Sequence, residues 1–297
     1  MKVFLTGATG FVGSAVAKEL LAAGHTVVGL ARSAAGADML TAMGADVLRG
    51  ELADLDCLRK GAQKADAVIH TAFLHDWSNF AASCALDKQA IETIGGTLEG
   101  SARPMLVTGG LATRAIGQGR LATENDAPAP VTPDYPRASE AAVDALVQRG
   151  VNVAVVRLPQ VHDTRKQGLV TLLIALARQK GVSAYIGTGA TCWSAVHVTD
   201  AALLYRLAIE KCRPGARYHA IAEESLSLRS IAEAIGHRLN LPISSVSAEE
   251  APSHFGGFLA KLLHLELRGS SAQTRATLGW QPNGPTLLTD IEHLQLD

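Results

Sequence analysis

Three glycines, Gly7, Gly10 and Gly13, stand between a short apolar run, Lys2–Thr6, and an amphipathic stretch that begins near Ser14. No other feature of the chain restricts its fold as strongly. A glycine at the first position permits a tight turn. The second lets the backbone approach a bulky anion, and the third lets a helix pack close to a sheet. The amides at the start of that helix add donors and a partial positive charge. A strand, a glycine loop and a helix in this order open a βαβ unit, with a dinucleotide pyrophosphate as the expected ligand.

The alternation continues down the chain, as a parallel sheet requires. Further strands are expected at Thr26–Leu30, Asp46–Leu48, Ala67–Thr71, Met105–Thr108 and Val153–Leu158. Helices are expected at Ser14–Ala23, Ala37–Met43, Leu55–Lys60, Asn79–Gly95 and Ala138–Arg149. Gly24, Gly44 and Gly150 follow three of them as stops. After Leu158 the pattern loosens into helices at Gly168–Lys180, Val198–Glu210 and Ser227–Leu239, a late strand at Tyr218–Ala222 and a helical tail from Ser247 to Asp297. The expectation is an α/β protein, a Rossmann-type doubly wound parallel sheet with a small C-terminal substrate-binding portion. The core takes residues 1–165 and 193–223, and the smaller portion takes 166–192 and 224–297.

A chain of 297 residues, 47% hydrophobic, can bury a large core. A net charge of −1 without any basic run argues against nucleic acid or an anionic membrane as partner. The apolar run Leu169–Ala177 is about half of a membrane span. Cys57, Cys84, Cys192 and Cys212 lie far apart, without metal-ligand spacing, and read as reduced thiols of a cytoplasmic protein. No metal is expected. A small-molecule substrate is the expected partner, and a homodimer is left open.

The end of the second strand bears on the cofactor. A site selective for NAD(H) usually carries an acid there for the ribose 2′-hydroxyl. This chain reads Ala31-Arg32-Ser33, with no acid before Asp38. Arg32 and Ser33 suit a 2′-phosphate, which favours NADP(H) over NAD(H).

The segment Thr6-Gly7-Ala8-Thr9-Gly10-Phe11-Val12-Gly13 resembles the TGxxGxxG loop of extended and atypical short-chain dehydrogenases/reductases. The likeness continues in His70-Thr71-Ala72, in Val156-Arg157-Leu158-Pro159 and in Ala195-Val196-His197-Val198-Thr199-Asp200. It implies that Gly7, Thr9, Gly10, Phe11, Val12 and Gly13 bind the cofactor. It also implies that Asp54 and Leu55 lie at the adenine, and that Thr71, Ala72 and Pro159 line the rest of the cofactor.

One departure is as informative. The family's Tyr-x-x-x-Lys is absent: no tyrosine here has a lysine four positions on, and no lysine lies between Lys88 and Lys166. In its place stands Tyr135-Pro136-Arg137-Ala138-Ser139. Tyr135 can donate a proton as a neutral phenol, and Arg137 can hold an anion but cannot shuttle a proton near neutral pH. Thr108, where the family keeps its Ser or Thr, is a candidate contact to a substrate oxygen. His162 and His75 are alternative acids, each expected in a loop at the carboxyl side of the sheet. The catalytic candidates are therefore Tyr135, Arg137, Thr108 and His162. Two readings stand: an NADP(H)-dependent oxidoreductase passing hydride to a carbonyl or similar polarised double bond, or a non-catalytic NADP(H)-binding sensor or regulator.

Overall fold

The computed structural model describes residues 1–111 and 120–295; Leu296 and Asp297, the end of the expected tail, lie outside them. The first half runs β1 (Lys2–Thr6), α1 (Phe11–Ala22), β2 (Thr26–Ala31), α2 (Ala34–Ala42), β3 (Asp46–Arg49), α3 (Leu55–Gln63) and β4 (Ala67–His70). It continues with α4 (Phe80–Leu98), β5 (Met105–Gly110), α5 (Ser139–Gln148) and β6 (Val153–Leu158). Then come β7 (Gln160–His162), α6 (Val170–Lys180), β8 (Ser183–Ile186), β9 (Cys192–His197), α7 (Val198–Glu210) and β10 (Arg217–His219). The rest is β11 (Glu223–Ser227), α8 (Leu228–Leu239), β12 (Ile243–Val246), α9 (Ala251–Phe255), α10 (Gly257–Leu263), α11 (Ala272–Leu278) and α12 (Leu287–Glu292).

Seven strands form one sheet in the order β3-β2-β1-β4-β5-β6-β10, with every neighbouring pair parallel. The chain winds outward from β1 in one direction and then, from β4, in the other. The expected Rossmann-type sheet is therefore present, and its switch point lies between β1 and β4. Strand alternation decides which face each side chain covers. Val3 and Leu5 of β1 join a cluster with Val16 and Leu20 of α1, Leu40 of α2 and Leu204 of α7. Phe4 turns to the other face, against Leu58 of α3, Ile91 and Ile94 of α4 and Leu146 of α5.

A third cluster builds the smaller portion, from α6, α8, α9, α10 and α12 around Trp193 of β9. Beside it lie a three-stranded sheet, β11-β9-β7, and a two-stranded one, β12-β8. Leu278 and Trp280, in the stretch expected to belong to this portion, pack instead with the first cluster. The Trp280 indole donates to the carbonyl of Asp200 at 2.9 Å, which anchors that segment on α7. Among the described residues, no helix is long and apolar enough to cross a membrane.

Candidate functional site

Gly7 ends β1 with φ of +71°, in the left-handed region. A Cβ there would lie 2.7 Å from both the Ala72 nitrogen and Thr71 Oγ1, so only glycine lets β1 and the end of β4 meet. The Gly10 amide closes the turn on the Gly7 carbonyl at 2.8 Å. Gly13 is buried under the same turn, where a Cβ would collide with the Gly7 carbonyl. Gly10 differs. It is exposed with Thr9, and a Cβ on it would meet nothing but the Gly7 oxygen, at 3.2 Å. No side chain caps α1 at Gly10, so the helix start at Phe11, Val12 and Gly13 keeps donors for an anion. This open cradle at the switch point fits a dinucleotide pyrophosphate.

Around it, the other expected cofactor residues take up definite places. Thr71 donates its hydroxyl to the Thr6 carbonyl at 2.8 Å, and the Ala72 amide donates to Thr6 Oγ1 at 3.4 Å. Arg32 is exposed at the end of β2. Ser33 caps α2, accepting from the Gly36 amide at 3.1 Å; its own hydroxyl proton stays available. Asp54 caps α3 with one carboxylate oxygen, at 2.9 Å from the Cys57 amide, and Leu55 opens that helix. Pro159 is half-buried between β6 and β7. One residue escaped the sequence reading: Arg49, whose guanidinium donates to the Arg32 carbonyl at 3.2 Å. It stands beside Arg32 because β3 pairs Arg49 with Ala31 of β2.

Tyr135, Arg137 and Ser139 line one cavity of about 240 Å³ with Gly109, Gly110 and the proline-rich 127–131 segment. Burial pushes the Tyr135 phenol above its ordinary pKa despite the opposing charge of Arg137. The Arg137 guanidinium lies over the Phe73 ring, 4.6 Å from its centre. It donates to Ser139 Oγ at 3.2 Å and to the Thr108 carbonyl at 3.4 Å. Ser139 in turn donates to Asp87 at 2.6 Å, and the other Asp87 oxygen faces His70 Nε2 at 3.2 Å. Burial opposes charge on Asp87, but His70, Ser139 and Arg137 together hold its carboxyl below the usual value. The result is a buried carboxylate that fixes Ser139, and through it the arginine.

The Thr108 hydroxyl is already engaged: it donates to the His70 carbonyl at 2.8 Å and lies 2.6 Å from the Tyr205 phenol. Its carbonyl, not its hydroxyl, touches Arg137. His162 departs further from expectation. It is not in a loop but in β7, fully buried, with Nδ1 at 2.6 Å from Asp290 and Nε2 at 3.6 Å from Glu223. It does not line the cavity of Tyr135 and Arg137, and two carboxylates hold it in the packing beside α12. His75 is pushed below the ordinary histidine value by burial first and then by the charge of Arg137, so near neutral pH it has little proton to give. Among the described residues, no cluster of His, Cys, Asp or Glu could hold a metal ion.

The model of a family described as NAD(P)H-binding matches residues 7–195, a span from the glycine loop to β9. The chain belongs to that family. The match supports a nicotinamide dinucleotide as the cofactor. A protein of Schizosaccharomyces pombe described as uncharacterized is 46% identical over 98% of both chains. Another, from Saccharomyces cerevisiae and also described as uncharacterized, is 41% identical over 98% of both. Among solved structures, the UDP-glucose 4-epimerase of Thermus thermophilus in complex with NAD superposes with a TM-score of 0.77. It is 18% identical, over 98% of this chain and 97% of that one, a likeness of fold. The expected place in the short-chain dehydrogenase/reductase superfamily is borne out.

Proposed function

We propose that the chain is an NADP(H)-dependent oxidoreductase of the atypical short-chain type, reducing a carbonyl or similarly polarised double bond of a small molecule. The observation that carries this reading is the meeting of Tyr135 and Arg137 on one cavity at the carboxyl end of β5. A bound reduced nicotinamide supplies the hydride. Tyr135 supplies the proton to the oxygen or nitrogen that becomes negative. Its raised pKa keeps the phenol protonated, which serves reduction and hinders the reverse oxidation. Arg137 holds the negative charge that develops, or a fixed anion of the substrate, as a permanent cation. Thr108 and Ser139 act through Arg137 as positioning residues.

NADP(H) is preferred to NAD(H) in this reading because the end of β2 carries no acid, and because Arg49, whose guanidinium donates to the Arg32 carbonyl, adds a second cation to that strand end. Asp54 and Leu55 are assigned to the adenine, and Thr71, Ala72 and Pro159 to the remainder of the cofactor. The thiols Cys57, Cys84, Cys192 and Cys212 are all free, which supports a reducing, cytoplasmic setting. The test is a panel of aldehydes, ketones and imines with NADPH, followed by the loss of reduced-nicotinamide absorbance. Turnover of at least one class is expected, and Tyr135→Phe should lower kcat far more than it weakens NADPH binding. Tight NADPH binding without turnover of any class would instead point to a sensor.

A further inference from the structure

Three charged side chains line the cavity of Tyr135: Arg137, Glu140 and Asp144. The two acids are already satisfied. Glu140 accepts from Arg157 and Arg217, and both Asp144 oxygens accept from Arg217, at 2.7 and 2.9 Å. Arg137 forms no ion pair among the described residues. Its hydrogen bonds to Ser139 and to the Thr108 carbonyl come from Nε and Nη2. The Phe73 ring covers a face of the guanidinium, and a stacked face leaves the N–H groups in the plane untouched. Nη1 makes no hydrogen bond among the described residues, so an edge of the fork stays open to an anion. The Asp87 carboxylate cannot fill it, because it is buried behind Ser139, outside the lining of the cavity.

Much of the remaining lining is apolar and is held in place. Residues 127–131 contribute only alanine, proline and valine. Arg157 donates to the Asp126 carbonyl at 2.9 Å, at one end of this stretch. At the other end Thr132 and Tyr135 close a turn through backbone hydrogen bonds of 3.0 and 3.1 Å. The space measures about 240 Å³, less than the roughly 300–1,000 Å³ of pockets that take drug-sized ligands. One cation without a carboxylate, an apolar wall and so small a volume suit a small molecule with a single negative charge. They do not suit a sugar nucleotide, whose two phosphates and base need more cations and more room.

We propose that this cavity binds a small monocarboxylate, with the carboxylate on Arg137 and the apolar body on residues 127–131. Joined to the oxidoreductase reading, on which this step rests, the site makes the substrate a small 2-oxo acid. Such a molecule carries its ketone next to its carboxylate, as Tyr135 and Arg137 stand two residues apart in the lining of one cavity. The ketone carbon accepts hydride from the reduced nicotinamide, its oxygen accepts the Tyr135 proton, and solvent returns a proton to the phenolate. The products are a 2-hydroxy acid and the oxidised cofactor.

The experiment has a binding arm and a turnover arm, both on the full chain, with Arg137→Gln and Arg137→Lys beside it. In the first, thermal midpoints are recorded in NADPH with benzoate or benzamide at equal ionic strength. Benzoate should raise the midpoint of the unaltered protein and benzamide should not. Loss of one charge-assisted contact should weaken benzoate by about tenfold in Arg137→Gln. Arg137→Lys keeps the charge without the fork and should fall between. In the second arm, 4-methyl-2-oxopentanoate is compared with its methyl ester. The acid should be reduced with the higher kcat/KM although the ester is the more electrophilic, and Arg137→Gln should remove that preference through KM while leaving NADPH affinity unchanged. Equal midpoints with benzoate and benzamide, together with an ester reduced better than the acid, overturn the carboxylate site and leave the oxidoreductase reading standing. Weakened NADPH binding in Arg137→Gln with the acid preference intact puts the arginine on the cofactor and also overturns it. Protection by benzoate that depends on Arg137, without reduction of any carbonyl compound, upholds the carboxylate site and overturns the oxidoreductase reading instead.

Discussion

The Arg49 guanidinium donates to the backbone carbonyl of Arg32 at 3.2 Å, so the ends of β2 and β3 present two arginines side by side. Two such groups can share the oxygens of one phosphate, and neither has an ion-pair partner among the described residues. NADPH should therefore bind more tightly than NADH by roughly tenfold or more, the worth of one charge-assisted contact of about 1.5–3 kcal/mol. Arg32→Ala and Arg49→Ala should each narrow the gap by weakening NADPH alone. Parallel fluorescence titrations with the two cofactors measure it, and equal affinities in the unaltered protein would remove the argument.

The pH dependence of reduction separates the candidate proton donors. Burial raises the Tyr135 pKa above the ordinary phenol value of about 10. A protonated phenol is therefore present across the neutral range, and it is lost only as pH rises through that elevated value. His75 is shifted the other way, below 6.5, by burial and Arg137. With a histidine donor, the rate would already decline between mildly acidic and neutral pH. We expect single-turnover reduction by NADPH to stay level through pH values near neutrality. A decline centred below 6.5, persisting in Tyr135→Phe and absent in His75→Ala, would move the donor to the histidine.

Much of the fold was legible because its signals are local. Lys2–Thr6 and Val153–Leu158 form strands with the expected limits, since each is a run with β-branched or apolar residues bounded by Gly7 or Pro159. α1 starts at Phe11 rather than Ser14, because Gly13 is accommodated inside the helix where it packs on the loop. β7 and β9 were not foreseen. Gln160–His162 is three residues long and largely polar, and its strand character comes from pairing with β9 far along the chain. The site divides in the same way. The glycine loop announces itself in seven residues, whereas the Asp87–Ser139 bond joins positions 52 apart with no spacing rule to reveal it. His162 misled for the opposite reason: its place after β6 suggested a loop, and the carboxylates that bury it come from β11 and α12.

A buried ion pair ties α5 to the edge of the sheet. Glu140 accepts from Arg157 at 2.9 and 2.8 Å and from Arg217 at 2.9 Å, and Arg157 is fully buried. Removing the carboxylate strands a buried guanidinium. Glu140→Ala should therefore cost about 3–5 kcal/mol of stability. Urea unfolding followed by circular dichroism measures this, and a change within about 0.5 kcal/mol, the usual range for an indifferent surface position, would contradict it.

Two glycines of one loop should fail in different ways. Gly13 has no room for a side chain, since a Cβ would also lie 2.9 Å from Thr71 Oγ1. Gly13→Val should therefore lower the thermal midpoint of the protein itself. A Gly13→Val protein as stable as the original would mean that α1 does not pack on the loop as described.

Gly10→Val separates pyrophosphate binding from folding, because Gly10 already has an ordinary helix-cap conformation and an open side. A branched side chain there should leave the fold intact and fill the space taken by the pyrophosphate. The measurement is titration of the unaltered and Gly10→Val proteins with NADPH and NADH, with circular dichroism and thermal midpoints recorded on the same samples. Unchanged spectra, a similar midpoint and loss of binding for both cofactors are expected. A folded Gly10→Val protein that binds NADPH as tightly as the original would contradict it, because the dinucleotide would then lie somewhere other than the glycine loop.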